Sequence, residues 1–181
     1  MLQGIMFRLC DSLSSMSFAC LKSLLAVMLL VAVSSNAQAQ TGGTVAPAAL
    51  VERLKSGGYN VYVRHATTDW AHSDKISGRP DIPSCDGAKV RQLSQQGREA
   101  ARRTGEILKT IGIRFDRVFS SPYCRCVETA RLISGKDPET TDDLMNLRSA
   151  SFAGGRDAVV ARARMRLSQA PGEAVNALYS A

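Results

Sequence analysis

Arg64 and His65 stand side by side at the end of the short β-prone run Tyr59-Asn60-Val61-Tyr62-Val63. The whole sequence holds two histidines, so one placed at a strand end beside an arginine is informative. Neutral imidazole near pH 7 is a competent nucleophile toward phosphorus, and a phosphohistidine intermediate divides phosphoryl hydrolysis into two steps. The Arg64 guanidinium offers a fork that can hold two phosphoryl oxygens. A second anion-binding candidate, Ser120-Ser121-Pro122-Tyr123-Cys124-Arg125, follows the next strand-like run. Its helix would carry Arg125 in the first turn, where free N–H groups and the helix dipole also favour an anion. Nearby arginines would keep the imidazole neutral. Together the two motifs predict phosphoryl chemistry on His65.

These side chains need a scaffold, and the hydrophobic periodicity supplies one. Leu50, Val51 and Leu54 share a helical face that Gly57-Gly58 ends. Val61 and Val63 alternate with Asn60 and Tyr62, as in a buried strand that brings His65 to its carboxyl end. Residues Thr67 to Val90, which include Gly78, Pro80, Pro83 and Gly87, read as a long loop, and loops of this length are usually functional or mobile. Ser94 is the expected N-cap of a helix with Ala100, Ala101, Thr104, Ile107, Leu108 and Ile111 inward, closed by Gly112. Phe115 to Ser120 is the next strand. Ser121 is then the expected cap before Pro122, and Tyr123, Val127, Ala130 and Ile133 form the buried stripe of a helix ending at Gly135. Weaker signals place a short strand at Leu144 to Leu147 and a helix at Asp157 to Gln169, stopped by Pro171-Gly172. The alternation predicts an α/β sandwich with a largely parallel sheet, in which ligands bind at the carboxyl ends of the strands.

The first 39 residues read as a secretory signal: Lys22, the apolar run Leu24 to Val33, then Ala37-Gln38-Ala39 before a cleavage point at Gln40. Met16 is an alternative start. The apolar run is shorter than the roughly 20 residues that span a bilayer, so no stable membrane anchor is expected after cleavage, and the chain is expected to be periplasmic or secreted. Residues 40–47 read as a linker and 48–181 as one domain. Without Arg8, Lys22 and Asp11, the 23 basic and 16 acidic residues become 21 and 15, a mature net charge of +6. That excess suits anionic partners, while the lack of aromatic interleaving or a dense basic block argues against nucleic acid. Cys85, Cys124 and Cys126 remain after cleavage. Cys124 and Cys126 would point about 200° apart on a helix, which disfavours a bond between them; Cys85 with Cys124 is the preferred pair. A Cys-x-Cys metal site lacks a second pair of ligands.

Arg64-His65-Ala66-Thr67-Thr68 resembles the Arg-His-Gly-x-Thr signature of the histidine phosphatase superfamily, whose fold is phosphoglycerate mutase-like, and Trp70 falls where many members have tryptophan. Leu93-Ser94-Gln95-Gln96-Gly97 is similar to the family's Leu-Thr-x-x-Gly helix start. Phe115 to Arg125, with Glu128-Thr129-Ala130, is similar to its strand, Ser-Ser-Pro-x-x-Arg and Thr-Ala segment. The resemblance covers about Tyr59 to Ile133 and implies a three-layer α/β sandwich. It also implies a phosphorylated small molecule or other anion as partner, and hydrolysis of phosphomonoesters without metal or other cofactor. It implies His65 as nucleophile, Arg64 and Arg125 as phosphate ligands, and Thr68 and Ser121 as further substrate-binding positions.

Two departures stand out. The family's second pocket histidine has no counterpart, His72 being a loop residue out of register. The general acid also has no clean match among Glu139, Asp142, Asp143 and Asn146. The segment Pro171 to Ala181 stops about where the strand bearing that histidine would begin, so a central strand is expected to be missing. This predicts a C-terminally truncated member with an exposed sheet edge, and hence a weakly active or inactive enzyme, a noncatalytic anion-binding module, or a non-functional fragment.

Overall fold

The computed structural model describes residues 45–181. The proposed signal segment and the linker up to residue 44 lie outside the described residues. Helix α1 spans Pro47–Ser56 and β1 Asn60–Val63, followed by the long loop and α2, Gln95–Thr110. Strand β2, Arg117–Ser120, leads into α3, Cys124–Ser134, and then into β3, Glu139–Thr140. Helix α4, Arg156–Ser168, precedes β4, Ala177–Ser180. The sheet has the order β1-β4-β2-β3 and every pairing is parallel.

Alternation along each strand builds the layers, because successive side chains point to opposite faces. Val61, Leu178 and Val118 lie in register and pack with Leu54 of α1, Leu108 of α2 and Ala130 and Ile133 of α3. The opposite face carries Ala177, Tyr179 and Phe119 against Leu144 and Leu167 of α4, with the Phe119 and Tyr179 rings stacked 5.1 Å apart. Helices therefore cover both faces, and the expected three-layer α/β architecture is the observed one.

Strand β4 corrects the expectation of a missing central strand. Residues Ala177 to Ser180 are all buried and hydrogen-bonded on both sides, to β1 and to β2. Leu144 to Leu147 is not a strand. Thr141 Oγ1 accepts from Asp143 N and Asn146 Oδ1 from Arg148 N, so local side-chain bonds cap two 3₁₀ segments, Asp142–Leu144 and Leu147–Ala153. The short strand lies earlier, at Glu139–Thr140.

Helix α2 is capped as expected, with Ser94 Oγ accepting from Gly97 N at 3.0 Å, but its buried face is rotated. Ala100 and Thr104 are exposed and Ile107 is half exposed, whereas Gly97 and Ala101 are buried. A Cβ at Gly97 would stand 2.0 Å from Thr67 O, and one at Gly105 2.6 Å from Ile133 O. Backbone-to-backbone approach on this glycine face fixes the helix, and a hydrophobic pattern cannot register it. Helix α3 starts later than expected, with Tyr123 rather than Ser121 as its N-cap, because Ser121 N still bonds to Ser180 O in the sheet. The long loop is part of the core: Ile82 and Val90 are almost completely buried and join Tyr123, Cys126 and Met145.

Candidate active site

The parallel register brings three strand ends to one level, with Val63 opposite Ser180 and Ser180 opposite Ser120. Arg64-His65, Ser121 and Ala181 leave the sheet together at its carboxyl edge, where His65 N donates to Ala181 O at 2.8 Å. Above this edge opens a cavity of about 1270 Å³, lined by Arg64, His65, Arg91, Ser121 and Arg125 among others. Leu144, Leu147, Phe152 and Val159 give it an apolar wall.

His65 is half-buried and its Nδ1 lies 2.9 Å from the Ala66 carbonyl. A carbonyl can only accept, so the ring proton sits on Nδ1 and Nε2 keeps its lone pair. Burial is the largest influence and pushes the imidazole pKa below 6.5, with the charges of Arg125, Arg64 and Arg91 acting the same way against the upward pull of the Ala66 bond. The strand end is pinned from α3, because Ala66 N donates to Thr129 Oγ1, which itself donates to Arg125 O.

Arg125 is 1% exposed and its guanidinium stacks 4.3 Å above the Tyr123 ring. Its two terminal nitrogens meet Asp74 in a bidentate pair, Nη1 to Oδ1 at 2.9 Å and Nη2 to Oδ2 at 3.0 Å. Burial alone would raise the Asp74 carboxyl, but hydrogen bonds from Arg125 and from Arg91 N, with the charges of both arginines, hold it below the usual carboxylate range. Asp74 and Arg91 went unnoticed in the sequence. They sit in or just after a loop without periodicity, and only the tertiary fold turns them toward Arg125.

His65, Arg64, Arg125 and Ser121 thus share one cavity, with Arg64 exposed at its mouth and Ser121 Oγ buried without a hydrogen-bond partner. Thr68 does not line the cavity: it is 2% exposed and bridged to Leu93. Trp70 lines it and lies under the Arg91 guanidinium at 4.3 Å. His72 lies outside, exposed beside Asp69. Of the acidic candidates, Asp143 and Asn146 reach the cavity, but Asp143 is engaged by Arg162 and Arg166 and Asn146 caps its own turn. Asp142 pairs with Arg79, and Glu139 is exposed on β3. Cys85 and Cys124 form a disulfide that ties the long loop to the residue before Arg125. Burial pushes the remaining Cys126 thiol up to about 12, which keeps it unreactive.

Residues 61–175 match the family model of the histidine phosphatase superfamily (branch 1). The chain belongs to this superfamily. A 2,3-bisphosphoglycerate-dependent phosphoglycerate mutase of Rhizobium etli is 35% identical over 85 residues, 47% of this chain and 35% of the relative. The uncharacterized phosphatase PhoE of Bacillus subtilis is 36% identical over 72 residues, 40% of this chain and 32% of the relative. This chain therefore spans about a third of the length of these curated relatives. A crystal structure of a candidate SixA phosphohistidine phosphatase from Agrobacterium tumefaciens superposes at a TM-score of 0.42 with 21% identity, covering 67% of each chain.

Proposed function

We propose that this chain is an exported histidine phosphatase-type domain that takes the phosphoryl group of a phosphomonoester onto His65. The carrying observation is the imidazole itself: Nδ1–H bound to the Ala66 carbonyl, a free Nε2, and Arg64, Arg91 and Arg125 lining the same cavity. Nε2 attacks phosphorus as the P–O ester bond breaks, and the leaving alkoxide takes a proton from solvent water. A second water then attacks the phosphohistidine, releasing orthophosphate and restoring neutral imidazole. Among the described residues no second histidine lines the cavity, so arginines alone carry the charge of the transferring group. Loss of one preorganised electrostatic partner costs about 10² to 10³ in rate, which makes slow turnover the expectation.

Export is supported by the apolar run with its small-x-small triplet and by the Cys85–Cys124 bridge, a bond that persists in oxidising compartments. A second reading, a noncatalytic anion-binding module, is favoured by one observation, the occupation of Arg125 by Asp74. Incubation with an aryl phosphate separates the two. Acid-labile phosphate on His65, lost in His65→Ala together with hydrolysis, is the expected result. Hydrolysis unchanged in His65→Ala overturns the mechanism, and phosphate protection against unfolding without labelling selects the binding module.

A further inference from the structure

Asp74 holds Arg125 by the arrangement that a phosphoryl group would use, two parallel N–H···O bonds onto one planar fork. Every other partner of that carboxylate also belongs to the site. Oδ1 accepts from Arg91 N at 2.9 Å, and Arg125 Nη1 reaches Arg91 O at 3.2 Å. Asp74 is a quarter exposed and Arg125 is 1% exposed, so the carboxylate stands between the guanidinium and solvent. Arg125 Nε is buried without a partner, so the terminal edge that Asp74 covers is its satisfied donor edge. The loop that carries Asp74 is anchored on both sides, by Asp69 N to Gln92 O, by Lys75 N to Lys89 O, and by the Cys85–Cys124 bridge.

We propose that Asp74 is a specificity-determining residue of this pocket: an internal carboxylate that occupies the phosphate-binding edge of Arg125 and must be displaced by the ligand. The inference rests on Arg125 as a phosphate ligand. A singly charged ligand gains little by exchanging with an equally charged carboxylate that is already tethered in place. A terminal phosphoryl dianion brings more charge and a third oxygen, so it can complete the exchange. Asp74 therefore selects phosphomonoesters and orthophosphate over phosphodiesters and carboxylates, and it lowers the affinity for all of them.

Titration of the full mature chain with inorganic phosphate and with diethyl phosphate, followed calorimetrically, tests this. Asp74→Asn removes the competing charge, so phosphate binds about tenfold more tightly or better, and diethyl phosphate becomes measurable. The gain disappears in Asp74→Asn/Arg125→Gln and persists when Asp74→Asn is made in a His65→Ala background, which keeps this test separate from that of the phosphohistidine reading. Equal or weaker phosphate binding by Asp74→Asn overturns the proposal and makes Asp74 a positioning partner of Arg125. A measurement on the unmodified chain covers the case of a variant that does not fold. Displacement of Asp74 removes the acceptor of the Arg91 amide, so saturating phosphate speeds hydrogen exchange there, and unchanged or slower exchange overturns the proposal.

Discussion

At the scale of single residues, the chemistry turns on which ring nitrogen of His65 keeps its lone pair. The Ala66 carbonyl decides this, and burial together with three arginines keeps the ring uncharged. A base whose folded pKa lies below 6.5 binds fewer protons folded than unfolded in the interval between the two values. Stability consequently rises with pH across that interval, the penalty being complete below the folded pKa and absent above 6.5. His65→Gln should flatten this part of the pH dependence of Tm. In the unmodified chain the acid limb of His65 phosphorylation should have its midpoint below 6.5, and a midpoint at or above that value would contradict the burial argument. The Arg-His pair was legible in the sequence because both residues are adjacent at a strand end. Asp74 was not, since nothing in a loop sequence says which carboxylate will meet a guanidinium 51 residues away.

At the scale of elements, the site depends on how closely α2 approaches the turn after β1. Gly97 packs its α-carbon against Thr67, two residues beyond His65, and Thr67 O also accepts from Ser94 N and Ser94 Oγ. Alanine at position 97 would raise helix propensity by up to about 1 kcal/mol. Overpacking against rigid backbone costs about 1 to 3 kcal/mol and should prevail. Gly97→Ala is therefore expected to lower stability in denaturant titration and to weaken phosphate binding, while a neutral or stabilising effect would show that the turn yields. The helices and first two strands were legible in outline because apolar repeats and glycine or proline stops mark them, although of the four helices only α2 carries a side-chain N-cap. The glycine face of α2 was not, since a missing side chain leaves no hydrophobic signal.

At the scale of the whole molecule, the Cys85–Cys124 bridge joins residues 39 apart in sequence, closing a span that contains the core residue Val90 and starting three residues after the core residue Ile82. Cross-links of this kind are worth about 2 to 4 kcal/mol. Chain recovered from an oxidising compartment should begin at Gln40 and carry this bridge, and Cys85→Ser/Cys124→Ser should lose stability of that order. Intact mass and denaturant titration read both, and retention of residues 1–39 or reduced Cys85 and Cys124 in the recovered chain would refute the export reading, Cys126 being the one thiol expected to stay free. By itself the sequence determined the alternating α/β plan, the strand ends that bear Arg64-His65 and Ser121, and the family, because these follow from local periodicity and from motifs contiguous in the chain. Only the tertiary structure decided that Ala177 to Ser180 is the central strand and that Asp74 closes on Arg125. Both depend on pairings between distant segments, and neither a four-residue strand nor one loop carboxylate states its partner locally.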